Sequence, residues 1–202
     1  MLVQPGLFAM SSLEPRVIYG IVPDQRFDED MKKKLQQKVF ASNEFVAEII
    51  DGHPAGFVYG IMIPFEHMLQ GLVQTENMRQ MDEFCVVNHL RTPTFRLGVS
   101  GDWQSSAIKN LSPHAAYAIM SDQRWDQDLK TKLSAEVPRS KEFITRFTEG
   151  HPERFHYGVS IPIEMLINFQ SERTQDMKDM GGFCTRYQIT NPSCKLVLQA
   201  EK

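Results

Sequence analysis

The side chains whose types and spacing suit chemistry come in pairs. Gln25-Arg26 and Gln123-Arg124 each follow an aspartate, and His53 and His151 each stand between a glycine and a proline. A guanidinium forks onto carboxylate, phosphate or carbonyl oxygens. The two Gln-Arg pairs would therefore either fix their own turns through backbone carbonyls or form a corner that binds an anion or a partner. Imidazole changes charge near neutrality. His53 and His151, expected just past helix ends, would bind the last carbonyls there, or act as general bases if a substrate proton came within hydrogen-bond reach. Gln25, Arg26, Gln123, Arg124, His53 and His151 make up the candidate binding set, and no residue is assigned a catalytic role.

The other repeated polar residues have structural explanations. Asp24, Asp28, Asp122 and Asp126 stand where helix N-caps are wanted. Asp28–Lys32, Asp30–Lys34, Asp126–Lys130 and Asp128–Lys132 are spaced for ion pairs one helical turn apart. Cys85 and Cys184 follow Phe84 and Phe183 at apolar helix ends, a setting for buried, unreactive thiols. His151, Glu153 and His156 lack the spacing of a metal site, and the HExxH, EF-hand, CxxC, P-loop, GxGxxG and GxSxG patterns do not occur. Neither a metal nor a cofactor is expected. The 11 methionines are assigned to cores, with Met78, Met81, Met177 and Met180 as the alternative lining of an adaptable groove.

What must position these residues is a unit that occurs twice. Shifting the chain by 98 residues aligns 13–69 with 111–167, with 25 of the 57 positions identical. After one added residue around 167–176 the match resumes through Met78/Met177, Phe84/Phe183, Pro93/Pro192 and Leu97/Leu196. The division is an N-terminal extension 1–12, a first unit 13–100, a linker 101–110 and a second unit 111–202.

Each unit is expected to begin with a strand (17–22, 115–120). Next comes a helix bearing Phe27, Met31, Leu35 and Val39, or Trp125, Leu129, Leu133 and Val137, at the spacing of a buried stripe. A second short helix from Ser42 or Ser140 would carry Phe45, Ile49 and Ile50, or Phe143, Ile144 and Phe147. Gly52-His53-Pro54 would end it. Alternation at Phe57, Tyr59, Ile61 and Ile63 marks a strand. Pro64 opens a helix running to Phe84, and two strands about Pro93 close the unit. The fold class is α+β: a tandem β-α-α-β-α-β-β unit, a mixed sheet with helices on one face, and the two units packed as a pseudo-twofold pair.

Bulk composition narrows function by exclusion. With 42% hydrophobic and 23% charged residues the chain is globular rather than disordered. A formal net charge of -3 argues against nucleic acid as the main partner. No run is long enough to span a bilayer, and no basic start marks a signal peptide. Three cysteines without a CxxC suit a reducing compartment, cytoplasmic or nuclear rather than secreted. The first functional reading is a non-catalytic adaptor that binds another protein or a peptide along the seam or an open strand edge. The alternative is an enzyme or a sensor of a small anionic ligand with its site at the seam, and the third is an RNA-binding module.

Overall fold

Asp51 and Gly52 take positive φ, 51° and 76°, between the paired residues Ile50 and His53. Both central residues of a two-residue hairpin loop do this when the turn must match the twist of its strands. The segment 43–50, whose Phe45, Ile49 and Ile50 suggest a helix, is therefore one arm of a hairpin. The computed structural model describes residues 12–22, 26–70, 73–101, 110–120, 124–148, 151–167 and 173–200, without the side chains of 12, 147, 148, 151, 153 and 200. Most of the N-terminal extension and of the linker, with Asp24, Gln25, Asp122 and Gln123, lies outside the described residues.

The elements run β1 (Ser12–Ile21), α1 (Glu29–Lys38), β2 (Asn43–Ile50), β3 (His53–Ile63), α2 (Phe65–Leu69), α3 (Glu76–Val87) and β4 (Thr94–Ser100). The same order follows as β5 (Leu111–Met120), α4 (Gln127–Glu136), β6 (Lys141–Thr148), β7 (His151–Ile161), α5 (Ile163–Ile167), α6 (Gln175–Arg186) and β8 (Ser193–Ala200). The order in each half is thus β-α-β-β-α-α-β, which corrects the expected β-α-α-β-α-β-β. The second helix is replaced by β2 and β6, where Val46, Ile49, Ile144 and Thr145 favour an extended backbone. The last two strands are one: Pro93 precedes β4 rather than dividing two strands.

Strands β1, β3, β2 and β4 close into a small antiparallel barrel through β1–β3, β3–β2, β1–β4 and a single β2–β4 bridge at Val46 and Val99. The other four strands pack outside it and make the same cycle, closing at Ile144 and Leu198. Every described pairing is antiparallel, so the expected mixed sheet is not formed. β1 and β2 do run the same way, but β3 lies between them, the split β-α-β arrangement. Two further pairings join the halves: Leu13 of β1 with Phe147 of β6, and Ile49 of β2 with Leu111 of β5. Leu13, Val46, Ile49, Val99, Leu111 and Leu198 bury one another at this junction.

The helices pack on the strands. Val17, Tyr19, Ile61 and Ile63 meet Leu35, Val39, Met81 and Phe84 there, and Tyr117, Val159, Ile161, Leu133, Met180 and Phe183 do so in the second half. Met78, Met81, Met177 and Met180 are core residues, at most 7% exposed. Asp28 and Asp126 cap α1 and α4 by accepting from the backbone N–H of Met31 at 2.9 Å and of Leu129 at 3.0 Å. Ser42 donates to the carbonyl of Val39 at 2.7 Å instead of starting a helix. Asp28→Ala is expected to cost about 1 kcal/mol, read as a Tm lowered by about 2–4 °C. An unchanged melting curve would show that this cap contributes nothing.

Among the described residues no helix is long and apolar enough to cross a membrane.

Candidate functional site

The arginines of the repeated Gln-Arg pairs hold helix ends. The α3 helix finishes in a left-handed residue, His89 (φ 56°), with Leu90 N–H returning to the carbonyl of Cys85 at 2.8 Å. The α6 helix finishes likewise at Gln188 (φ 54°), with Ile189 N–H on Cys184 at 2.9 Å. This is the six-to-one closure of a Schellman motif. Arg26 donates to the His89 carbonyl at 3.5 Å and Arg124 to that of Gln188 at 3.1 Å. Each arginine thus reaches a backbone carbonyl at the end of the long helix in its own half. His53 is the exposed first residue of β3, beyond a hairpin turn rather than a helix end. Gln25, Gln123 and the His151 side chain fall outside the described residues.

A second repeated constellation escaped the sequence reading. Lys32 pairs with Glu44 and lies 4.9 Å from the centre of the Tyr59 ring. In the second half Lys130 lies 4.6 Å from the Tyr157 ring, whose hydroxyl donates to Glu142 at 3.3 Å. Glu44/Glu142 and Tyr59/Tyr157 are identical at the same offset, and that was the available signal. Of the four anticipated ion pairs within helices, only Asp128–Lys132 forms among the described residues, at 2.7 Å. The Glu44 hydrogen bond raises the Lys32 ammonium, and burial raises the Tyr59 phenol. Both changes keep the ordinary protonation states, so the cluster fastens α1 to the β2–β3 hairpin rather than activating a base. The thiols are quiet too: burial pushes Cys85 up to about 12 and Cys184 up to about 11.

The site of interest lies where the halves differ. Beyond the single bridge at Val46 and Val99, β4 diverges from β2, which turns toward β5. The gap is a groove of about 880 Å³, walled by β4 from Pro93 to Leu97 on one side and by Ala47, Gly56, Phe57 and Val58 on the other. Helix α5, from the second half, contributes Ile163, Glu164 and Ile167 and packs on β4. Apolar side chains dominate the lining, and Tyr19, Thr94, Arg96 and Glu164 are its polar members. Neither Arg26, Arg124 nor His53 lines this groove.

Ala47, Gly56 and Val58 are small residues in the lining of the groove. Their counterparts 98 residues later are Thr145, Arg154 and His156. His156 is 4% exposed on β7, paired opposite Phe143 of β6. Its two ring nitrogens, Thr145 Oγ1 and Trp125 Nε1 are buried with no hydrogen-bond partner among the described residues. The first half has Val58, Ala47 and Phe27 at those places. On the first half alone, the Tyr19 hydroxyl donates to Asp82, which also accepts from Gln74 at 2.5 Å. Burial, and then the Asp82 carboxylate, hold the Tyr19 phenol above its usual range. Gly181 stands at the counterpart of Asp82, so this anchor of a groove-lining side chain has no equivalent.

Set against protein-family models, curated proteins and solved structures, the chain matches none, and the functional reading stands on the groove's own geometry.

Proposed function

We propose that the chain is a small-molecule-binding protein whose site is the groove at the seam between two like halves. One observation carries this. The slit beside β4 is left open in the first half by Ala47, Gly56 and Val58, and is roofed by α5 of the second half. Its volume of about 880 Å³ and its apolar lining with a few polar groups are those of ligand sites. The duplicated, pseudo-twofold arrangement supports the assignment. Leu13–Phe147 and Leu111–Ile49 are the same two repeat positions with the halves exchanged, the reciprocity of an isologous interface. Within that near-symmetry one half has become the site, and the other supplies the roof.

Nile red, a neutral apolar dye, tests the reading. It is expected to bind saturably with one site per chain. Ala47→Phe, which fills the groove, is expected to weaken binding at least about tenfold, a change of about 1.4 kcal/mol, with the Tm kept within a few degrees. Absence of saturable binding, or equal affinity in the variant, would overturn the proposal.

A second reading, docking of another protein, has an observation of its own. Phe40, Val86 and Val87 are 97%, 73% and 66% exposed on the helical surface of the first half, where the second half has Pro138, Thr185 and Arg186. Large apolar side chains exposed in one half and replaced by proline or polar residues in the other suit a surface that meets a partner.

A further inference from the structure

Granting that the groove binds small molecules, we infer that its ligand is an amphipathic monocarboxylate, with the carboxylate on Arg96 and the apolar body along the apolar lining of the groove. Arg96 lines the groove from β4, and it also lines a smaller cavity of about 190 Å³ together with Arg91 and Thr92. Its Nε donates to the Thr94 hydroxyl at 3.1 Å. That bond engages Nε and leaves both terminal nitrogens to other acceptors. Among the described residues no carboxylate lies within ion-pair distance of it, nor of Arg91 in the same small cavity. A fork of two N–H groups held in plane matches the two oxygens of a carboxylate.

The rest of the lining sets the shape and charge of the ligand. Val58, Phe95, Leu97, Ile163 and Ile167 offer apolar surface, which takes up alkyl or aryl groups at about 0.8 kcal/mol per buried methylene. Glu164 stands on α5 and forms no ion pair with Arg96 among the described residues. Its negative charge opposes a second charge on the ligand head, so a singly charged carboxylate fits better than a phosphate dianion. The counterpart position keeps a cation, Lys195. There, however, Arg154 and His156 replace the small groove residues, so the preference belongs to the first half.

Displacement of Nile red below micellar concentrations tests the assignment with decanoate, decanol and decyl phosphate. Decanoate is expected to displace the dye at about tenfold lower concentration than decanol, because hydrogen bonds to a charged group exceed neutral ones. Decyl phosphate is expected to be no tighter than decanoate. In Arg96→Gln the decanoate and decanol curves are expected to converge to within about twofold, with decanol unchanged and Arg96→Lys intermediate. Equal affinity of decanoate and decanol in the unaltered protein, a preference that survives Arg96→Gln, or tighter binding of decyl phosphate would each overturn the carboxylate assignment while leaving the groove as a binding site. If Nile red itself does not bind, the proposed function falls, and this inference with it.

Discussion

Gly60→Ala is expected to cost more than about 3 kcal/mol, at the severe end of single substitutions, and Gly158→Ala the same. A Cβ on Gly60 would sit 2.1 Å from the Tyr19 carbonyl oxygen and 2.5 Å from the Gly20 Cα. One on Gly158 would sit 2.1 Å from the Tyr117 oxygen and 2.6 Å from the Ala118 Cα. These are backbone atoms of the paired strand, in register Gly20–Gly60 and Ala118–Gly158, so no side chain can swing aside. Relief requires β3 to move off β1. Since β3 also pairs with β2, that movement would change the curvature that opens the slit at β4. Gly181 gives the internal comparison. It lies in α6 with nothing within 4 Å of its added Cβ, and Gly181→Ala is expected to stabilise by about 0.5–1 kcal/mol through helix propensity alone. Urea unfolding of the three variants decides the matter. A Gly60→Ala protein within about 1 kcal/mol of the parent would refute the close crossing of β1 and β3.

The parts of this fold that could be read from the sequence were those governed by one local rule. Phe27, Met31, Leu35 and Val39 gave α1, and Asp28 gave its cap, because helix periodicity and capping need no knowledge of tertiary neighbours. The segment 43–50 was misassigned because burial on two sides hides period two. Phe45 and Val46 are adjacent and both buried, one inside the small barrel and the other at the junction of the halves. Asp51-Gly52 was nevertheless a hairpin signal on its own terms. In the second half Thr145, Phe147 and Thr148 argued for a strand beside it.

The mixed sheet expected from the sequence is not formed because a long crossover allows β1 and β2 to run the same way without saying whether a third strand enters between them. The groove was harder still to foresee. It depends on β4 parting from β2 after one bridge and on α5 arriving from the other half, and neither is a local property. What the sequence did show was where the halves differ: Ala55-Gly56 against Glu153-Arg154, and Val58 against His156. Two of the small residues that open the slit, Gly56 and Val58, lie in that stretch. The repeated residues Arg26, Arg124, Lys32 and Lys130 serve helix ends and hairpin anchoring. Identity between the halves covers these helix-end and hairpin residues, whereas Ala47, Gly56 and Val58 of the groove lining are among the positions that diverge.

His156 is the sharpest such divergence, and its removal is expected to alter stability in a way that depends on pH. Burial, then the charges of Lys195 and Arg154, lower its imidazole from 6.5 to about 4. Between those two values the unfolded chain binds a proton that the folded chain does not. Stability contributed by the neutral form is therefore fully present above pH 6.5 and is lost as pH falls toward 4. The gap corresponds to about 3 kcal/mol at full extent. His156→Leu puts an apolar group of similar reach at the same buried place, opposite Phe143 of β6. It is expected to flatten the stability curve over pH 6.5–4 by about one proton. Loss of two unsatisfied ring nitrogens is expected to add about 1–2 kcal/mol at pH 7. Acid titration of carboxylates also weakens any fold, so the quantity to compare is the difference between parent and variant across that range. Parallel pH curves for parent and His156→Leu would show that His156 is not held neutral. A variant less stable at pH 7 would refute the expected gain from removing the two unsatisfied nitrogens.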